Sequence, residues 1–85
     1  MPTVNTVAAQ FAPSADAQSN LAFISRTVSE NPNAQLVVFP EYSAWFHPDP
    51  RTWRDGAQPV GGEFVAGLGA LVSDSDRVIV AGFIE

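Results

Sequence analysis

The amino-acid sequence predicts an α/β fold with the element order β-α-β-α-β. Three short apolar runs, at residues 4–11, 35–39 and 77–84, are rich in Val, Ile, Ala and Phe. Two segments with helical spacing of apolar residues separate them. Strands that alternate with helices are typical of parallel sheets with right-handed crossovers. We therefore expect one small parallel sheet with a helix after each of its first two strands.

The first strand and helix are bounded by turn-forming residues. Pro13 closes the strand at 4–11, and Ser14 and Asp16 are candidate N-caps for the helix that follows. Apolar residues then recur at i, i+3 and i+7, namely Leu21, Ile24 and Val28. Residues 31–33, Asn-Pro-Asn, are expected to end this helix.

The second half of the chain repeats the pattern after a long loop. The second strand, 35–39, leads into an irregular connection at 42–59 that is rich in Pro and aromatic residues, and connections of this length are usually functional or disordered. The second helix opens at 61–63 and ends at 74–76, before the third strand at 77–84. Its apolar stripe consists of Phe64, Leu68, Leu71 and Val72.

Glu41 is the first candidate functional residue. Four consecutive apolar residues, 36–39, predict a strand buried on both faces, and Pro40 ends it directly before the carboxylate. Open α/β sheets build their sites at the carboxyl ends of strands, where a carboxylate can act as a proton acceptor. The alternative is that Glu41 is a solvated loop residue.

The composition indicates part of a larger domain. Only 15% of the 85 residues are charged, against about 25% in typical proteins. Small domains have proportionally more surface to solvate, so we expect more chain or another subunit to cover part of this one. We expect the span to fold poorly alone, because three strands leave apolar faces and open edges exposed.

The charge pattern excludes several classes of function. The net charge is −5 and no basic stripe occurs, which argues against nucleic acid and anionic membranes as partners. No apolar run approaches the ~20 residues that span a bilayer, and the amino terminus lacks the pattern of a signal peptide. With no cysteine, no disulfide framework exists and a cytoplasmic location is expected.

The chain resembles a known family. Val38-Phe39-Pro40-Glu41, preceded by a helix and by Ala8-Ala9-Gln10 in the first strand, resembles the amino-terminal part of the nitrilase superfamily of carbon–nitrogen hydrolases. The resemblance covers essentially all 85 residues. Its weaker elements are Asn20-Leu21, Gly61-Gly62-Glu63-Phe64 and Val80-Ala81-Gly82-Phe83.

This resemblance implies a four-layer α-β-β-α sandwich, of which residues 1–85 are the amino-terminal fragment, and a Glu-Lys-Cys catalytic set without a cofactor. Glu41 matches the general base, which activates a cysteine to attack a small amide, nitrile or carbamoyl compound. The sequence contains neither lysine nor cysteine, so both would lie further along the chain. The span alone is expected to be inactive, and the whole protein to form dimers or larger homo-oligomers.

Aromatic residues after Glu41 are candidates for the substrate pocket. Tyr42, Trp45 and Phe46 are expected to line the acyl pocket. Packing of these rings onto the core is an equally expected role.

Other polar residues of the loop carry weaker hypotheses. His47 and Asp49 are too few to hold a metal ion, so no metal is predicted. Arg51 and Arg54 are candidates for gripping a substrate carboxylate or a neighbouring subunit, although exposure to solvent or local pairing with Asp49 and Asp55 is favoured.

Three further positions have mainly structural explanations. Gln10 is favoured as a structural residue over a site residue. Residues 61–62, Gly-Gly, precede a helix and could hold an anion, but no nucleotide-binding spacing follows. Glu63 is better explained as a favourable charge at a helix start.

A non-catalytic α/β binding module, such as a flavodoxin-like domain, is the alternative from a different class. Such a domain needs a hydroxyl- or glycine-rich turn after its first strand to hold phosphate. Residues 12–15, Ala-Pro-Ser-Ala, form a poor turn of this kind.

Overall fold

The computed structural model describes residues 3–73 and 75–84, and it has the predicted mixed α/β architecture and element order. The strands are shorter than predicted, with three residues each. The elements are β1 (Thr6–Ala8), α1 (Ala17–Glu30), β2 (Leu36–Val38), a 3₁₀ helix (Pro50–Gly56), α2 (Glu63–Val72) and β3 (Val78–Val80). The predicted end of the second helix at 74–76 falls partly outside the described residues.

The three strands form one parallel sheet with β2 in the centre. Pairing continues just past the strand ends, because Ala9 N–H donates to Val38 O at 2.9 Å and Phe39 N–H donates to Val80 O at 2.8 Å. The parallel arrangement predicted from strand–helix alternation is therefore confirmed.

The sheet has one covered face and one open face. On the covered face lies the row Val7, Val37 and Ile79, which packs with residues of α1 and α2 in the core. Since side chains alternate along a strand, the neighbouring rows lie on the opposite face, which the described residues leave open. The open face consists of Thr6, Ala8, Leu36, Val38, Val78 and Val80.

The expected burial of β2 on both faces is wrong for this chain. Val37 is completely buried, whereas Leu36 and Val38 are only partly buried. On the neighbouring strand, Val78 and Val80 are 53% and 49% exposed. The reason is that α1 and α2 contact each other and cover the same face.

Helix α1 begins at a side-chain cap, as predicted for Asp16. The Asp16 carboxylate accepts hydrogen bonds from the backbone N–H of Gln18 at 3.1 Å and of Ser19 at 3.3 Å, and from the Ser19 hydroxyl at 2.9 Å. Hydrogen bonds to the charged form, above all from the Ser19 hydroxyl, lower the pKa of Asp16. Ser14, the other candidate cap, contacts Asn20 instead.

Helix α1 ends at Asn31, as predicted. Arg77, which lies far along the chain, stabilises the carboxyl end of this helix. The Arg77 guanidinium donates to the backbone carbonyls of Ala34 at 2.8 Å, Asn31 at 2.8 Å and Val28 at 3.2 Å. A cation at the negative end of a helix dipole is favourable. Arg77 thus ties the start of β3 to the end of α1.

Helix α2 has no side-chain cap at its own N-cap residue, Gly62. The Gln58 side-chain oxygen instead accepts the Phe64 N–H at 2.9 Å. Glu63 lies in the first turn, where its charge suits the helix dipole as expected. Phe64 is completely enclosed in the core.

Neither helix in the described parts of the chain is long and apolar enough to cross a membrane.

The open face predicts self-association of this chain. Replacing Val78 and Val80 together by lysine places charges on the open face and should shift the chain towards monomer in sedimentation velocity. Val60 is 57% exposed in a loop, so Val60→Lys is the matched control and should leave association unchanged. A monodisperse wild-type monomer with a cooperative thermal transition would contradict this prediction.

Candidate functional site at the carboxyl end of the sheet

Glu41 lies at the carboxyl end of the central strand, as predicted. Phe39 and Pro40 separate it from β2. Its side chain is exposed, and its carboxylate makes no hydrogen bond to the residues described. The pocket expected around Glu41 is not formed by the described part of the chain.

The turn that follows Glu41 has an unusual backbone. Tyr42 is the one non-glycine residue with positive φ among those described, at φ 59°. This left-handed conformation is uncommon for a bulky residue and is held by surrounding contacts. Here the Ser43 hydroxyl donates to Pro40 O, and Trp45 N–H donates to Tyr42 O at 3.1 Å. The turn therefore closes on itself directly after the candidate base.

The end of β3 supports this turn from the side. Ala44 N–H donates to Gly82 O at 3.1 Å. A Cβ atom at Gly82 would lie 3.0 Å from Tyr42 N and 3.4 Å from Glu41 Cα. The lack of a side chain at Gly82 therefore allows the backbone of the Glu41 turn to approach the third strand.

Asn20 of α1 joins the loops that follow β1 and β2. Its side chain is only 3% exposed. The side-chain N–H₂ donates to Ser14 O at 2.8 Å and to Ala44 O at 2.9 Å, and the side-chain oxygen accepts Ser14 N–H at 2.9 Å. Phe46 N–H also donates to Ser14 O, at 2.9 Å. A buried amide with satisfied partners fixes its surroundings.

The predicted pocket residues separate into two groups. Tyr42 and Phe46 lie together, with 5.8 Å between ring centroids, and both are half-buried. Trp45 is 9% exposed and belongs to the core. It packs against Gly56, where a Cβ atom would lie 2.1 Å from its ring.

Trp53 is a member of the aromatic group that the sequence did not single out. Its ring centroid lies 5.1 Å from that of Tyr42 and 6.4 Å from that of Phe46. Its indole N–H donates to His47 O at 2.7 Å. In the sequence, Trp53 stands in a segment bounded by prolines. The apolar residues of that segment show no helical periodicity, so the 3₁₀ helix that contains Trp53 was not predicted.

Arg51 pairs locally, as favoured from the sequence. Its guanidinium contacts both carboxylate oxygens of Asp49, with Nη2 to Oδ2 at 2.8 Å and Nε to Oδ1 at 3.0 Å. This pair lowers the pKa of Asp49 and raises the pKa of Arg51, chiefly through the side-chain hydrogen bond. The pair is exposed, so its contribution to stability is small. No corresponding Arg54–Asp55 pair is found in the described segments.

The remaining predicted residues do not assemble a site. His47 Nδ1 accepts Asp49 N–H at 3.0 Å, and within residues 3–73 and 75–84 no group of three His, Asp or Glu side chains suits a metal ion. Gln10 is exposed. Residues 61–62 form the turn before α2.

Two cavities lie away from Glu41. One, of about 290 Å³, is lined by residues 5–7 and 30–34 at the amino ends of β1 and β2, opposite to Glu41. The other, of about 30 Å³, lies between the starts of α1 and α2 and is lined by Leu21, Gln58 and Phe64 among others.

Comparison with known proteins found no matching family model, no matching curated protein and no matching solved structure.

The Asn20 contacts predict a large effect of one substitution. Asn20→Ala leaves the buried Ala44 carbonyl without its partner and should lower the free energy of unfolding by about 2 kcal/mol. It should also speed hydrogen exchange at the Phe46 amide. Asn5→Ala is the matched control, because Asn5 is exposed and its side chain makes one long hydrogen bond of 3.3 Å. Equal effects of the two substitutions would contradict this role.

The close approach at Gly82 predicts a local disturbance. Gly82→Ala should displace the backbone at Tyr42, shift the amide resonances of Glu41 and Tyr42, and cost about 1–2 kcal/mol through overpacking. Gly69→Ala is the control, because a Cβ atom there meets nothing within 4 Å. That change should stabilise α2 by about 0.5–1 kcal/mol. Unshifted resonances in Gly82→Ala would show that the turn does not depend on this contact.

Proposed function

We propose that this chain is the amino-terminal part of a carbon–nitrogen hydrolase of the nitrilase superfamily, with Glu41 as its general base. One observation carries the proposal. The Phe39-Pro40-Glu41 element follows the central strand of a parallel sheet. The Glu41 side chain is exposed at this edge of the sheet.

The open sheet face supports the proposed sandwich. In a four-layer α-β-β-α arrangement, helices cover one face of each sheet and the second sheet covers the other. Here α1 and α2 lie on one face, while Val78 and Val80 are about half exposed on the other, at 53% and 49%. An open sheet face with mostly aliphatic side chains is suited to packing against another sheet.

The proposed reaction uses residues from outside this span. The Glu41 carboxylate takes the proton of a cysteine thiol, and the thiolate attacks the carbonyl carbon of an amide. A lysine stabilises the charge that develops on oxygen. Ammonia leaves with the proton that Glu41 had taken, and a thioester remains. Glu41 then deprotonates water, which hydrolyses the thioester to a carboxylic acid and restores the thiol.

The exposure of Glu41 is also what a plain loop acid would show. The role of Glu41 therefore rests on its position and on the motif, and not on burial. The flavodoxin-like form of the non-catalytic alternative is disfavoured by strand order. In flavodoxin-like sheets the strand order reverses at the first strand, which gives the order 2-1-3. In this sheet the strand order is β1-β2-β3, and both helices lie on one face. Residues 9–16, after β1, contain no glycine with which to hold a phosphate.

Glu41→Gln tests the proposal in the polypeptide that supplies the lysine and cysteine. Turnover, measured as ammonia released from small amides and nitriles, should fall by about a hundredfold or more, the usual range for loss of a general base. The fold should remain intact, because the Glu41 side chain is exposed. Glu63→Gln, another exposed glutamate, is the control and should retain activity. Full activity of Glu41→Gln, or a reading frame without a downstream lysine and cysteine, would end the proposal.

A further inference from the structure

Ser43 is a completely buried polar residue two positions after Glu41. Its exposed fraction is 0%, and among the described residues only Asn20 is a second buried polar side chain. The Ser43 hydroxyl donates a hydrogen bond to the backbone carbonyl of Pro40. Because the side chain is shielded from water, water does not compete for this hydrogen bond, which is therefore stronger than the same contact at the surface.

The Pro40 carbonyl belongs to the peptide unit that joins Pro40 to Glu41. The pyrrolidine ring fixes φ of Pro40, and the hydrogen bond from Ser43 fixes the direction of the Pro40 carbonyl. The peptide unit is planar and includes the Cα atom of Glu41, from which the side chain leaves the backbone. The Ser43 hydroxyl therefore limits the directions in which the Glu41 carboxylate points.

The end of β3 holds the same turn from the other side. Ala44 N–H donates to Gly82 O at 3.1 Å. A Cβ atom at Gly82 would lie 3.4 Å from Glu41 Cα and 3.6 Å from the Glu41 carbonyl carbon. Between these contacts Tyr42 keeps φ 59°, and such a conformation in a bulky residue persists only where its surroundings hold it. The backbone around Glu41 is therefore confined to one arrangement.

We propose that Ser43 is a positioning residue for the general base. Its hydroxyl acts through the Pro40 carbonyl and the Glu41 backbone, and its burial keeps it away from any substrate. A general base works only within hydrogen-bond reach of the proton that it takes. This inference rests on the proposed function, because the direction of the carboxylate matters for turnover only if Glu41 deprotonates the cysteine thiol.

Steady-state kinetics test this role in the polypeptide that supplies the lysine and cysteine. The substrate is the small amide or nitrile that the wild type hydrolyses fastest, and rates are normalised to the folded protein measured by circular dichroism. Ser43→Ala should lower kcat about tenfold, because a small displacement of a catalytic group is costly. KM should stay within about twofold, because no contact with the substrate is removed.

Two further variants separate the hydroxyl from the volume of the side chain. Ser43→Thr and Ser43→Val introduce nearly the same volume, and only threonine keeps a hydroxyl. The threonine variant should therefore have the higher kcat, by about tenfold, and this pair provides the test if Ser43→Ala does not fold. Ser73→Ala is the matched control, because the exposed Ser73 hydroxyl also donates to the carbonyl three residues earlier, that of Ala70, at 3.4 Å. It should leave kcat and KM unchanged.

The outcomes separate this inference from the proposed function. Wild-type kcat in Ser43→Ala, equal kcat in the threonine and valine variants, or a loss confined to KM would overturn the role of Ser43. Any of these results together with an inactive Glu41→Gln variant would leave the hydrolase standing. Full activity of Glu41→Gln would remove the hydrolase and, with it, the base that Ser43 is proposed to position.

Discussion

The arrangement of the loops at the carboxyl end of the sheet depends on the buried side-chain amide of Asn20. It contacts the loop after β1 through Ser14 and the turn after β2 through Ala44. Leaving the buried Ala44 carbonyl without this partner would be costly. Two loops that are far apart in sequence, the second of them beginning next to Glu41, are therefore held in one arrangement.

The second constraint is the one-sided covering of the sheet. Both helices lie on the same face, which leaves a row of aliphatic side chains on the other. An exposed apolar row of this kind is typical of a surface that another part of a protein covers. The proposed sandwich provides that cover with a second sheet, which also explains the low fraction of charged residues. Under the proposed function, further chain completes both the sheet and the site of the candidate base.

The elements of the fold were predictable because their signals are local. The Asp16 cap, the stop at Asn31 and the apolar run before Pro40 each depend on a few neighbouring residues, and each appears where the sequence placed it. Burial on both faces of β2 was predicted wrongly. An apolar run indicates that both faces of a strand are suited to burial, but it does not show that other residues pack on both of them. The strand ends were also overestimated, since apolar residues continue beyond the paired region.

The site was less predictable because its contacts join distant parts of the chain. Asn20 contacts Ala44, which lies 24 positions further along the chain, and no sequence period reveals this. Trp53 joins Tyr42 through an irregular segment, and Trp45 turns into the core because Gly56 makes room for it. Residue type predicted an aromatic pocket, but only the fold decides which rings face outward.

The most direct test of the central claim is an experimental structure of the complete polypeptide. We expect the Glu41 carboxylate to lie within hydrogen-bond reach of a cysteine sulfur, at about 3.5 Å or less, with a lysine alongside and a second sheet packed on Val78 and Val80. A Glu41 side chain that remains in bulk solvent, with neither partner near it, would contradict the account.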